Sequence, residues 1–118
     1  MTTKPDCLFC RIARGEIPAA RVYEDELVLA FKDIQPQRPV HVLVIPRKHI
    51  ISLAHVGPDD EAVLGRMLAV AGQIAVDQGS TDGFRSIINT GRVGGQEVMH
   101  VHMHVVGGPD PVGPMLKR

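Results

Sequence analysis

The heptad His100-Val101-His102-Met103-His104-Val105-Val106 constrains this chain more than any other stretch, because histidine alternates with apolar residues at the two-residue period of an extended strand. On a strand all three imidazoles leave from one face, with successive rings roughly 6.5 to 7 Å apart. Val101, Met103 and Val105 then point the other way, into a core. Three neighbouring imidazoles are costly to desolvate and repel one another when protonated, so the spacing argues for a shared chemical task. Two tasks fit. The rings can bind a metal through neutral nitrogens, or one ring can attack phosphorus while its neighbours hold the phosphate oxygens. In the second case the adduct is a reactive phosphoramidate, which water can open in a further step.

The remaining sequence narrows the class. A chain of 118 residues is one domain with room for a core. Its 13 basic residues balance 13 acidic ones, so there is no overall electrostatic footprint for nucleic acid or an anionic membrane, and any phosphate recognition has to be local. Met1 to Asp6 is short, polar and expected to be flexible, unlike a signal peptide, and no apolar run reaches membrane-spanning length; the expected location is cytoplasmic. The two cysteines, Cys7 and Cys10, are spaced for a shared ligand more than for a structural disulfide, which leaves metal binding and redox chemistry open.

Taken in order, residues 7–14 predict a short helix ended by Gly15 and Pro18. Strands are expected at 22–24 and 27–32 around a turn at Asp25-Glu26, and at 40–45, where β-branched and apolar residues run almost without a break until Pro46. The best helical period spans 59–78, with Val63, Leu64, Met67, Leu68, Ala71, Ile74 and Ala75 as its apolar stripe, acidic residues at its start and Gly79 as its cap. A strand at 84–89, a glycine-rich loop at 90–96, the histidine strand at 98–106 and a Gly/Pro-rich tail complete the chain. The loop Gly91-Arg92-Val93-Gly94-Gly95 has neither a dinucleotide nor a Walker spacing, and is read as joining two strands without opening a helix. Strands, one long helix, then more strands make an α+β domain with an antiparallel sheet.

The heptad fits the His-φ-His-φ-His-φ-φ signature of the histidine triad (HIT) superfamily. Phe31 to Pro36, the run from Pro39 to His49, and Gly94-Gly95-Gln96-Glu97-Val98 resemble its HINT branch in order and spacing, over roughly residues 5–116. The resemblance implies a single HIT domain over 1–118, with 109–118 as a tail and about five antiparallel strands, one long helix and a short N-terminal helix. It also implies a homodimer joining two sheets into one, and hydrolysis of purine nucleoside phosphoramidates or related AMP-type substrates. Dinucleoside polyphosphate hydrolysis, as in the FHIT branch, and a nucleotide-binding scaffold role are the alternatives.

By position, His102 is implied as nucleophile, held through its Nδ1 proton by the backbone carbonyl of His100, with His104 on a phosphate oxygen and His41 on a neighbouring strand. Asn89 and the loop with Gly95 and Gln96 complete the implied anion pocket. Asp33 matches the acid that grips ribose hydroxyls, although by itself it reads equally as a turn residue. Phe9, Ile12, Ile17 and Ile34 are implied as walls of the base, although isoleucines are more often core. Cys7, Cys10, His49 and His100 resemble the structural zinc site of some bacterial HIT proteins and of galactose-1-phosphate uridylyltransferases, which implies Zn2+ here and no organic cofactor. Glu97 stands where animal HINT proteins have serine and bacterial relatives also carry glutamate; it receives no contact, and His55 is expected to face solvent.

Overall fold

The computed structural model describes residues 3–116. Helix α1 (Leu8–Ala13) leads into strands β1 (Arg21–Glu24), β2 (Val28–Lys32) and β3 (Val40–Pro46), followed by helix α2 (Glu61–Asp77), strand β4 (Arg85–Ile87), the one-turn helix α3 (Gly91–Gly94) and strand β5 (Met103–Gly107). The five strands form one antiparallel sheet in the order β1-β2-β3-β5-β4. This is the expected α+β architecture. No helix among the described residues is long and apolar enough to cross a membrane.

Strands β2 and β3 read as continuous apolar runs because both faces of the sheet are covered there. Val28, Ala30, Val42, Val44, Met103 and Val105 pack beneath α2. Leu29, Phe31, Leu43 and Ile45 form a smaller core with Phe9 and Ile12 of α1. Helix α2 buries Val63, Met67, Val70, Ala71, Ile74 and Ala75. At about 1.5–3 kcal/mol for each large apolar side chain withdrawn from water, this stripe is the main attachment of the helix. Leu68, expected in it, is instead 61% exposed, because its direction on the helix lies beside the stripe that Val70 completes. Past the C-terminus, Gly79 takes φ +109 and returns its N–H to the Val76 carbonyl, as expected of a cap.

The histidine strand is shorter than expected. The His100 N–H bonds to Val98 O at 2.8 Å and the Val101 N–H to Ile50 O at 2.7 Å, so residues 98–101 are tied to the segment after β3 and the ladder begins only at Met103. Strand β4 likewise stops at Ile87, and the glycine loop does open a helical turn, α3, because Gly91 gives its N–H to the Gln96 side chain at 2.9 Å and turns the chain back. Of the N-terminus expected to be flexible, residues 1–2 lie outside the described part, as do residues 117–118 of the tail. Lys4 is tied down, its N–H 3.4 Å from Cys10 Sγ and its carbonyl accepting from Cys7 N–H.

Candidate active site and metal cluster

On β3, His41 shares a face with Leu43 and Ile45, the face that α1 covers further along. On β5, His104 stands opposite Leu43 in register. The sheet face opposite α2 therefore begins as a small apolar core and continues as imidazoles. His100 and His102 reach the same side from the irregular lead-in, and the rings follow one another as His49, His100, His102, His104 and His41. Adjacent centroids are 5.1 Å apart for His49 and His100, 5.3 Å for His102 and His104, and 5.2 Å for His104 and His41. Phe9 fills the gap between His100 and His102, edge-on to both at 5.8 and 5.1 Å.

Backbone groups set the tautomers of these rings. The Pro46 carbonyl, 2.8 Å from His100 Nε2, can only accept, so the proton sits on Nε2 and the Nδ1 lone pair of His100 faces Cys7 Sγ at 3.3 Å and Cys10 Sγ at 3.6 Å. By the same logic His102 donates Nδ1–H to the His100 carbonyl at 2.8 Å, which leaves a lone pair on Nε2. The Gln37 N–H donates to His41 Nδ1 at 3.0 Å, which places the His41 proton on Nε2, 2.9 Å from His104 Nδ1. His104 then accepts on Nδ1 and carries its own proton on Nε2. Burial pushes His100 down to about 4 and depresses His104 and His49 as well, with neighbouring imidazoles adding to the first two and Lys4 to the third. All three are neutral near pH 7.

The other expected contacts divide. Asp33 closes a turn, its Oδ1 accepting from Gln35 N–H at 2.8 Å, and its Oδ2 faces His41 Nε2 at 3.4 Å. Phe9 is buried against His100 and His102, Ile12 is buried in the small core with it, and Ile17 is half-buried against the same core. Ile34 is 94% exposed in the loop after β2. Asn89 lines a cavity of about 420 Å³ with His41, His104, Arg85 and Met115. Gly95, at φ +76, caps α3 and is exposed. The Gln96 side chain is occupied inside the protein, accepting from Gly91 N–H and donating to the carbonyls of Ile51 and Val98. His55 is exposed, but its Nδ1 lies 2.7 Å from Ser52 Oγ. Sequence reasoning missed the Pro46 carbonyl and the Gln37 amide, which no side-chain pattern announces. It also missed Arg38, whose guanidinium pins the tail carbonyl of Val112 at 3.1 Å.

Cys7, Cys10, His49 and His100 each offer one donor atom, all within 4.8 Å of one another, close enough to hold a metal ion. Cys10 Sγ is 3.4 Å from His49 Nδ1. Burial raises the Cys10 thiol, so a neighbouring cation is what would favour its thiolate.

The HIT domain model matches residues 14–110, which includes the whole imidazole row and leaves the cysteines outside. The chain is 51% identical to the protein HitA of Neisseria gonorrhoeae over 88% of this chain and 97% of that one. It is also 51% identical to the purine nucleoside phosphoramidase of Escherichia coli over 94% of this chain and 93% of that one. Among solved structures, a HIT family hydrolase from Clostridium thermocellum matches with a TM-score of 0.90 at 40% identity, over 97% of this chain and 100% of that one. A histidine triad protein from Clostridium difficile matches with a TM-score of 0.89 at 42% identity, over 96% and 99%. The chain belongs to the HIT family, in its HINT-like bacterial branch, and is a hydrolase.

Proposed function

We propose that this hydrolase cleaves purine nucleoside phosphoramidates or related AMP-type substrates through a covalent nucleotidyl-His102 intermediate. The observation that carries this reading is the tautomer of His102: its Nδ1–H is spent on the His100 carbonyl at 2.8 Å, so Nε2 is the nucleophilic lone pair. In the first step Nε2 attacks the α-phosphorus and the P–N bond to the leaving amine breaks. His104, whose Nδ1 accepts from His41, turns its Nε2–H toward a phosphate oxygen. Asp33 holds the ribose, Phe9 and Ile12 pack against the base, and Asn89 and Gly95 border the phosphate; for Gln96 the proposed role is to brace that loop. Water then opens the phosphoramidate and regenerates His102. An adenosine phosphoramidate releases AMP, and His102→Ala abolishes turnover while the circular dichroism spectrum stays unchanged. Full turnover in that variant contradicts the mechanism.

The second element of the proposal is a structural zinc ion at Cys7, Cys10, His49 and His100. A tetrahedral ion with Zn–S of about 2.3 Å and Zn–N of about 2.0–2.1 Å has ligand-to-ligand edges of roughly 3.3–3.8 Å. The sulfur-to-nitrogen separations of 3.3, 3.4 and 3.6 Å fit those edges. When bound, the ion holds two thiolates and clamps α1 to the strand lead-in. Protein purified without added metal carries about one zinc per chain, lost when both cysteines become serine; folded protein that never binds zinc refutes the site. The third element is a homodimer, supported by the open outer edge of β4 and by exposed Leu68, Val76 and Phe84 beside it. The cytoplasm is the proposed location; it suits two free thiols.

A further inference from the structure

Helix α1 has six residues, and its single exposed-to-buried turn carries the thiol of Cys10 and the ring of Phe9, with Cys7 as its N-cap. Phe9 thus sits between two sulfurs in sequence and between two imidazoles in space. Its ring centroid lies 5.1 Å from His102 and 5.8 Å from His100. Apart from the sulfur cluster and the small core, α1 is held by guanidinium groups on its last carbonyls, Arg21 on Ile12 at 2.8 Å and Arg47 on Ala13 at 3.4 Å. The thiols fasten the N-cap and first turn of the helix together with the packing of Phe9 in the small core. They also differ in access. Cys10 is fully buried, whereas Cys7 is half-buried and lines an open groove of about 290 Å³ with Lys4, His49, Glu97 and Met99.

We propose that Cys7 and Cys10 form a peroxide-sensitive dithiol whose oxidation to a disulfide withdraws Phe9 from His102 and weakens nucleotide binding. The proposal rests on the nucleotide site and the metal clamp described above. A peroxide entering the groove is attacked by the Cys7 sulfur, which forms an S–O bond as the O–O bond breaks and one water leaves. The Cys10 sulfur then attacks that sulfenic acid, forming the S–S bond and expelling a second water. Two sulfurs lose two electrons, the peroxide gains them, and two protons are taken up if the sulfurs begin as metal-bound thiolates. The two sulfurs already lie within 4.8 Å of each other, but a disulfide needs about 2.05 Å. Cys7 must therefore leave its 3.3 Å contact with His100, and both sulfurs stop serving as ligands. The start of α1 is released, and the Phe9 ring moves with it.

The test treats the full-length protein with hydrogen peroxide and follows free thiols, released metal and the AMP dissociation constant by calorimetry. The expected result is loss of two thiols per chain, a product of monomeric mass, and AMP binding weakened by about tenfold, all reversed by dithiothreitol with added zinc. In Phe9→Leu, AMP binding is already weaker in the reduced protein, and oxidation changes it no further. AMP affinity that is the same before and after loss of both thiols overturns the proposal alone, as does a Phe9→Leu variant that responds like the wild type. Reduced protein that does not bind AMP overturns the nucleotide reading and this proposal with it. Protein that starts without metal removes the clamp reading, while the thiol and affinity measurements still decide the link.

Discussion

Single residues here owe their chemistry to backbone groups that hold them. His100 and His102 of one motif carry opposite tautomers, and the Pro46 carbonyl, the His100 carbonyl and the Gln37 amide each fix one ring nitrogen of His100, His102 and His41. Neutral His104 has a pH signature. Its pKa in the folded protein lies below the unfolded value of about 6.5, chiefly through burial and then through His102 and His41, so the unfolded chain takes up that proton first as pH falls. Stability is therefore lost as pH drops below about 6.5, and in His104→Gln the loss measured by urea unfolding between pH 7 and 5 is shallower than in wild type. Equal slopes contradict the assignment. The residue types at this site were legible from the period-two spacing, while the carbonyl directions were not, since every residue carries one. Ile34, whose role as a base wall rests on position in the family pattern, stands 94% exposed in its Pro-flanked loop beside Asp33, where its own residue type says nothing of a ligand.

At the scale of elements, legibility followed burial. β2 and β3 stood out because cores press on both faces, and α2 because its buried residues recur at the helical period. The histidine strand was overextended because alternation continues through residues whose hydrogen bonds go elsewhere, His100 to Val98 and Val101 to Ile50. β4 is one edge of the sheet, three residues long, with its outer side unpaired among the described residues. Phe84 lies just before β4, its ring 3.9 Å from where a Cβ on Gly72 of α2 would stand, and Leu68 and Val76 are exposed on the same helix. This edge and its apolar flank are the surface on which the proposed dimer depends. Sedimentation of the wild type should give the mass of two chains, and Leu68→Glu with Phe84→Glu should give one; a wild-type monomer at micromolar concentration contradicts the dimer.

Across the whole molecule, one sheet separates two jobs. The face under α2 supplies the larger core, and the opposite face carries a row of rings that runs from the thiol cluster, past Phe9, to the Asp33 carboxylate. The strand lead-in from His100 to His102 joins the two ends of that row: His100 turns Nδ1 to the sulfurs while its carbonyl orients His102. The central claim is that this orientation makes His102 a nucleophile. Rapid quenching of a reaction with an adenosine phosphoramidate in base, followed by mass spectrometry of the peptides, tests it most directly. The account predicts one adenylyl group on the peptide that spans residues 100–104, appearing before AMP reaches its steady rate and absent in His102→Ala. AMP formed at full rate with no adenylylated peptide at any time would contradict it.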